Sequence, residues 1–153
     1  MSRVSARVEL PTARIPQVEE LWYDRERWPA FIEGLRSVVV REGPYPEPGA
    51  RTVWESVSTG RGRVEEEVVA YAPGASQELA VSDPQLTGRQ CVRFEARPGG
   101  GPGVRVTLEL DYRLRKRGPV AAVVDLVFVR RAQAAALERT LLRLRAALKD
   151  GEW

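Results

Sequence analysis

Between Val104 and Leu114 every second residue is apolar: Val104, Val106, Leu108, Leu110, Tyr112 and Leu114 alternate with Arg105, Thr107, Glu109, Asp111 and Arg113. A period of two makes a strand with one face to bury. Beyond it, Gly118-Pro119 opens a helical stretch of roughly 30 residues that carries an apolar stripe and nearly finishes the chain. The two apolar surfaces must bury each other or enclose a space between them. The chain is thereby committed to a sheet that meets a long C-terminal helix.

The rest of the chain supplies that sheet. Val4, Ala6, Val8 and Leu10 alternate with polar residues up to Pro11-Thr12. Pro16 opens a short helix in which Val18, Leu21 and Trp22 recur at helical spacing, and Asp24 to Gly34 reads as a turn and a second short helix that Gly34 ends. Further strands are expected at 35–41, 51–59, 63–71, 77–82 and 90–96, each bounded by glycine- or proline-rich turns. Turns this close leave no room for crossover helices, so the sheet is antiparallel. The glycine-rich loop from Pro98 to Gly103 is followed by a strand and lacks the Gly-Lys-Ser/Thr of a phosphate cradle, which makes it a hairpin loop. The expectation is an α+β fold in one domain, 1–153, with about seven antiparallel strands.

Composition narrows the chemistry. The 153 residues contain no histidine and one cysteine, Cys91, which removes histidine bases, Ser-His-Asp and Cys-His devices, an intrachain disulfide and cysteine-built zinc sites. No metal and no organic cofactor is expected. The 24 basic residues include only two lysines, Lys116 and Lys149, and they interleave with 21 acidic ones, so a mixed-charge surface and no nucleic-acid partner is expected. The densest basic cluster, Arg113 to Arg117, suits contact with an anionic surface or ligand. The N-terminus has no apolar signal region and no apolar run is long enough to span a bilayer, so a cytoplasmic soluble protein is the expectation.

At about 100° per residue, Val123, Val127, Ala134, Leu137, Leu141, Leu144 and Leu148 form one face of the closing helix, and Arg130 falls inside it. Three readings stand open. The guanidinium snorkels past the edge of the stripe, the β-branched start of the helix is offset from its second half, or Arg130 points into a wet or ligand-filled space. Strand phase is open at two places. Glu66 shares a face with Val64 and Val68 against a competing face of Glu65, Glu67, Val69 and Tyr71, and Thr52, Trp54, Ser56 and Ser58 oppose Val53 and Val57.

The segment Trp22-Tyr23-Asp24-Arg25-Glu26-Arg27-Trp28-Pro29-Ala30-Phe31 resembles the Asp-x-x-x-Trp-Pro-x-Phe/Trp helix-turn of the START-like SRPBCC group, which includes polyketide cyclase/dehydrase-like proteins. Arg63 to Pro73 is similar to that group's strand ending in a proline turn, and the final strand and helix are similar to its C-terminus. The resemblance spans essentially the whole chain. It implies the helix-grip fold: a curved antiparallel sheet wrapped around the C-terminal helix, two short helices after the first strand, and a cavity between sheet and helix. Members bind lipids, hormones or quinones, cyclise or aromatise polyketides, or activate chaperones, so a cavity is implied and a reaction is not.

The expected function is binding of a small, mainly hydrophobic molecule of lipid, polyketide or isoprenoid type. Trp28, Phe31, Trp54, Glu66, Phe94, Leu108, Tyr112, Val127 and Arg130 are the expected ligand-binding residues. In the alternative, a polyketide aromatase/cyclase or dehydratase, Arg130 stabilises an enolate while Glu66 or Tyr112 moves a proton. A protein-interaction or chaperone-like module is the third reading, and a homodimer is compatible with all three.

Overall fold

A computed structural model describes residues 2–58 and 60–150. Strand β1 (Ser2–Leu10) is followed by helix α1 (Ile15–Trp22), a 3-10 turn (Arg25–Arg27) and the one-turn helix α2 (Trp28–Phe31). The meander β2 (Leu35–Glu42), β3 (Arg51–Ser56), β4 (Arg63–Ala72), β5 (Ser76–Ser82), β6 (Leu86–Ala96) and β7 (Val104–Leu114) comes next. The chain then enters α3 (Pro119–Val124), a π-helical turn (Asp125–Val129) and α4 (Arg130–Asp150).

All seven strands form one antiparallel sheet in the order β1-β7-β6-β5-β4-β3-β2. Strands β2 to β7 are neighbours in sequence order. Strand β1 instead joins the far side of β7, so α1 and α2 carry the chain from one edge of the sheet to the other. Helix α4 lies against β1, β7, α1 and α2 and closes the inner face. This is the helix-grip arrangement.

Alternation sets which face is inner. Along β7, Val104, Val106, Leu108, Leu110 and Tyr112 are all buried, and on β5 Gln77, Leu79 and Val81 are. Each fully buried leucine of this layer contributes about 2 kcal/mol by leaving water. The outer face carries a lattice of exposed or half-exposed ion pairs, among them Arg3–Asp111, Arg51–Glu42 and Arg93–Glu109. The arginine-rich composition thus largely serves a mixed-charge sheet surface, where solvent screens each pair.

Two element boundaries differ from the sequence expectation by more than one residue. Strand β6 begins at Leu86, four residues early, because the Asp83 carboxylate accepts from the Gln85 and Leu86 amides and starts the strand directly from the turn. Strand β3 ends at Ser56, and the expected terminus Thr59 lies outside the described residues.

The third difference decides the site. The closing helix is not one uninterrupted α-helix: the π turn Asp125–Val129 changes the rotational phase. From its last residue onward, Val129, Gln133, Leu137, Thr140, Leu141 and Leu144 are buried. Before and within the turn, Val123, Val127 and Phe128 are exposed, and Arg130 just after it is exposed as well. Val127 and Arg130 are therefore corrected from lumen residues to surface residues. The offset between the halves of the helix accounts for the apparent charge in the stripe.

Candidate functional site

The cavity lies where strands β3 to β7 face α4, with α1 and α2 closing one side. Trp22, Trp28, Ile32, Leu79, Leu108 and Leu137 provide apolar wall, and Arg61, Glu66, Gln77, Gln90, Gln133 and Thr140 provide polar wall. Its volume is about 50 Å³, which accommodates a few waters or one small polar group. That is smaller than the space expected of a grip enclosing a whole ligand, because the indoles of Trp22, Trp28 and Trp54 occupy much of it.

Glu66 is the centre of the polar wall. On β4 the residues Val64, Glu66 and Val68 are buried while Glu65 and Glu67 are exposed, which resolves the phase left open by the sequence. Across the sheet, Thr52 stands opposite Glu66 on β3, and Trp54 two residues on donates its Nε1–H to Glu66 Oε2 at 3.1 Å. Trp28 is fixed in turn by Nε1–H donation to the Trp22 carbonyl at 2.8 Å. Arg25 donates to Thr52 Oγ1 at 2.9 Å and lies 4.3 Å from the centre of the Tyr45 ring, a cation–π contact.

Several polar atoms here are buried without a hydrogen-bond partner: Tyr45 Oη, Gln77 Oε1 and Arg61 Nη2. Such groups cost about 1–3 kcal/mol each when nothing satisfies them. Arg61 is held at the rim by Asp83, whose Oδ2 accepts from Arg61 Nε at 2.7 Å. A latch closes the other side. Thr140 Oγ1 accepts from the Glu33 amide at 2.9 Å, and the Glu33 carboxylate pairs with Arg139 and Arg143 of α4.

Burial pushes the Glu66 carboxyl above the usual carboxylate range, opposed by the Trp54 hydrogen bond and the fields of Arg61 and Arg25. Burial, then the field of Glu66, pushes the Tyr45 phenol up. The Glu66 shift has a signed consequence. Between the ordinary carboxylate pKa and the raised one, the folded state keeps a proton that the unfolded state has released, so stability falls as pH rises through that window. Glu66→Gln retains an acceptor for Trp54 and does not titrate. Its Tm is expected to exceed that of the parent at about pH 8 and to converge with it at about pH 4, as read by calorimetry.

Of the residues expected to bind ligand, Trp28, Trp54, Glu66 and Leu108 meet at this cavity. Phe31 is buried in the core, 5.7 Å from the Trp22 ring, and Phe94 packs into an aromatic group 6.0 Å from Tyr23; neither lines the cavity. Tyr112 is buried at another end of the inner face. Its hydroxyl donates to Asp125 Oδ1 at 2.5 Å, and burial followed by that bond pushes the phenol up to about 12. Tyr112 therefore shares no site with Glu66.

Sequence reasoning missed Tyr45, Arg61, Gln77, Gln90, Gln133 and Thr140. Gln77 was readable, since it shares the alternating face of Leu79 and Val81, and so were Gln133 and Thr140 once the helical wheel is started at Val129. Tyr45 and Arg61 sit on connections that carry no period. Among the described residues, no group of three or more Cys, Asp or Glu side chains is arranged to hold a metal ion.

A seven-stranded sheet closed by a C-terminal helix over a partly polar cavity defines the START-like helix-grip class. The chain belongs to the family described as polyketide cyclase / dehydrase and lipid transport, whose model matches residues 1–149. Among solved structures, it is similar to TTHA0849 of Thermus thermophilus, with 21% identity over 99% of this chain and 100% of that one at a TM-score of 0.74. A START superfamily protein of Mycobacterium smegmatis matches at 14% identity, 97% of each chain and TM-score 0.72. Norcoclaurine synthase of Thalictrum flavum matches at 8% identity, 99% of this chain, 96% of that one and TM-score 0.71. These likenesses concern the fold. No curated protein matches the chain.

Proposed function

We propose that the protein binds a small, mainly apolar molecule between the sheet and α4, with the molecule's hydrogen-bonding end at Glu66. The observation that carries this reading is the set of unpartnered buried atoms, Tyr45 Oη, Gln77 Oε1 and Arg61 Nη2, around a buried carboxyl in a tryptophan-walled cavity. A polar end lodged there satisfies groups that the protein alone leaves unsatisfied. The apolar body supplies the affinity: burying about 400 Å² yields roughly 10 kcal/mol gross, against an association cost of about 4 kcal/mol or more.

The existing cavity of about 50 Å³ takes the polar end only, whereas small-molecule pockets run to about 300 Å³ or more. Occupancy therefore requires the Ile32 and Leu137 walls to part, which strains the Glu33 latch onto Thr140, Arg139 and Arg143. The test uses 1-anilinonaphthalene-8-sulfonate as probe. Saturable binding of one probe per chain, displaced by fatty acid and lost in Ala136→Phe, whose new ring fills the space, is expected; Phe128→Ser should leave it intact. Equal probe binding by Ala136→Phe and the parent would place the probe outside the cavity and overturn the reading.

The cyclase or dehydratase reading is favoured by one observation, the buried Glu66 carboxyl in the cavity wall, whose protonated form burial favours and which in that form would donate to a carbonyl oxygen. The role first given to Arg130 would fall to Arg61, which reaches the cavity. With a poly-ketone substrate, Glu66→Gln is expected to abolish turnover while leaving binding in place, and unchanged turnover would eliminate Glu66 as the acid.

A further inference from the structure

The run 119–129 contains one polar side chain, Asp125, and that residue faces the protein. Tyr112 Oη and Ser2 Oγ both donate to its carboxylate, at 2.5 Å each, and Val129 turns inward beside it. Anchored on this side, α3 and the π turn present their apolar residues to solvent. Val120 is 77% exposed, Leu126 67% and Phe128 66%, with Val123 and Val127 beside them. A surface helix ordinarily hides its apolar side. Here the polar residue is inside and the apolar ones are outside, a contiguous patch of the kind that marks an interaction site.

The charge around the patch is equally one-sided. Arg113, Arg115, Lys116 and Arg117 precede it, Arg130 and Arg131 follow it, and Asp125 is the only acidic residue from 113 to 131. On the sheet surface many arginines face carboxylates, whereas among the described residues none of these six cations is in an ion pair. Arg115 donates to neutral oxygens, the Asp83 carbonyl and Ser82 Oγ. Lys116 and Arg117 line open grooves of about 490 and 560 Å³ on the two sides of α3, the larger floored by Leu114, Val120 and Val124.

A partner for this face must be apolar at its centre and anionic at its rim. A second copy of the chain is disfavoured, since a twofold contact through the patch would set the same unpaired cations against one another. A bilayer containing anionic lipid meets both demands: acyl chains receive Phe128, Leu126 and the valines while headgroups meet the flanking cations. We infer that residues 113–131 dock the protein on the surface of an anionic lipid bilayer. The segment lies in the interface and does not span it, for no helix among the described residues is long and apolar enough to cross a membrane. The inference stands apart from the cavity and holds whether or not that cavity takes a ligand.

Vesicle flotation tests it, with the intact chain and vesicles either of phosphatidylcholine alone or with about one third phosphatidylglycerol. Binding is expected only to the second kind and should fall as salt is added. Leu126→Ser/Phe128→Ser should weaken the partition by roughly tenfold or more. Neutralising two rim charges in Lys116→Gln/Arg117→Gln should weaken it by roughly ten- to thirtyfold. All four substituted positions are exposed, so circular dichroism and Tm should match the parent. No flotation, or equal flotation with both vesicle types, overturns the inference. So does a dimer, measured by light scattering, that Phe128→Ser dissociates, for that outcome assigns the face to a second copy.

Discussion

Asp83→Ala is expected to destabilise the protein by about 3–5 kcal/mol, the range found when one member of a buried ion pair is removed. The Asp83 side chain is 1% exposed. Its Oδ1 accepts from the amides of Gln85 and Leu86 at 2.7 and 2.9 Å, and its Oδ2 accepts from Arg61 Nε at 2.7 Å. Alanine leaves two turn amides without an acceptor and a largely buried guanidinium without a counter-charge. Asp83→Asn separates these contributions, because its amide oxygen still serves the two backbone donors while the charge is lost. Urea unfolding should therefore rank the parent above asparagine and asparagine above alanine. Equal stability of alanine and asparagine would mean that the turn amides find water instead. Arg61 also reaches the cavity, so both variants should lose probe affinity along with stability.

Gly88→Ala is the second large effect, about 3 kcal/mol or more, at the upper end for overpacking. Gly88 stands opposite Tyr112 where β6 meets β7. A Cβ there would lie 2.1 Å from the Asp111 carbonyl oxygen and 2.9 Å from the Tyr112 Cα. Both are backbone atoms of a strand paired on its other side by β1, where Ser2 faces Tyr112, so β7 cannot step away. Relief has to come from parting β6 and β7. Because Tyr112 holds Asp125, that movement should also loosen α3, seen as faster amide exchange in 119–129. Gly101→Ala is the control: its Cβ would meet nothing within 4 Å, and its stability should stay near that of the parent. A Gly88→Ala protein as stable as that control would show that the strands have slack at this point.

The sheet was readable because a period of two is written directly into β7 and β1, where polar and apolar residues alternate along nearly the whole strand. Glu66 was ambiguous for a definite reason. Either phase of β4 buries some carboxylates among aliphatic residues, and the choice is made by a partner outside the strand, the Trp54 indole that donates to Glu66. Arg130 was misplaced because a helical wheel assumes a constant turn, and the π turn before it violates that assumption without any glycine or proline to announce it. About half of the residues expected at the site lie away from the cavity for this reason or, like Phe31 and Phe94, because they pack into the core.

The placement of β1 beside β7 also bears on how the chain comes to be folded. Arg3 and Asp111, joined across that pair, are 108 residues apart. Strands β2 to β6 can zip up one hairpin at a time as they are made, but β1, the first to emerge, has no neighbour until β7 has followed. The β1–β7 seam is thus the pairing of longest sequence separation in the sheet, and its closure is expected to follow the local hairpins and to set the folding rate.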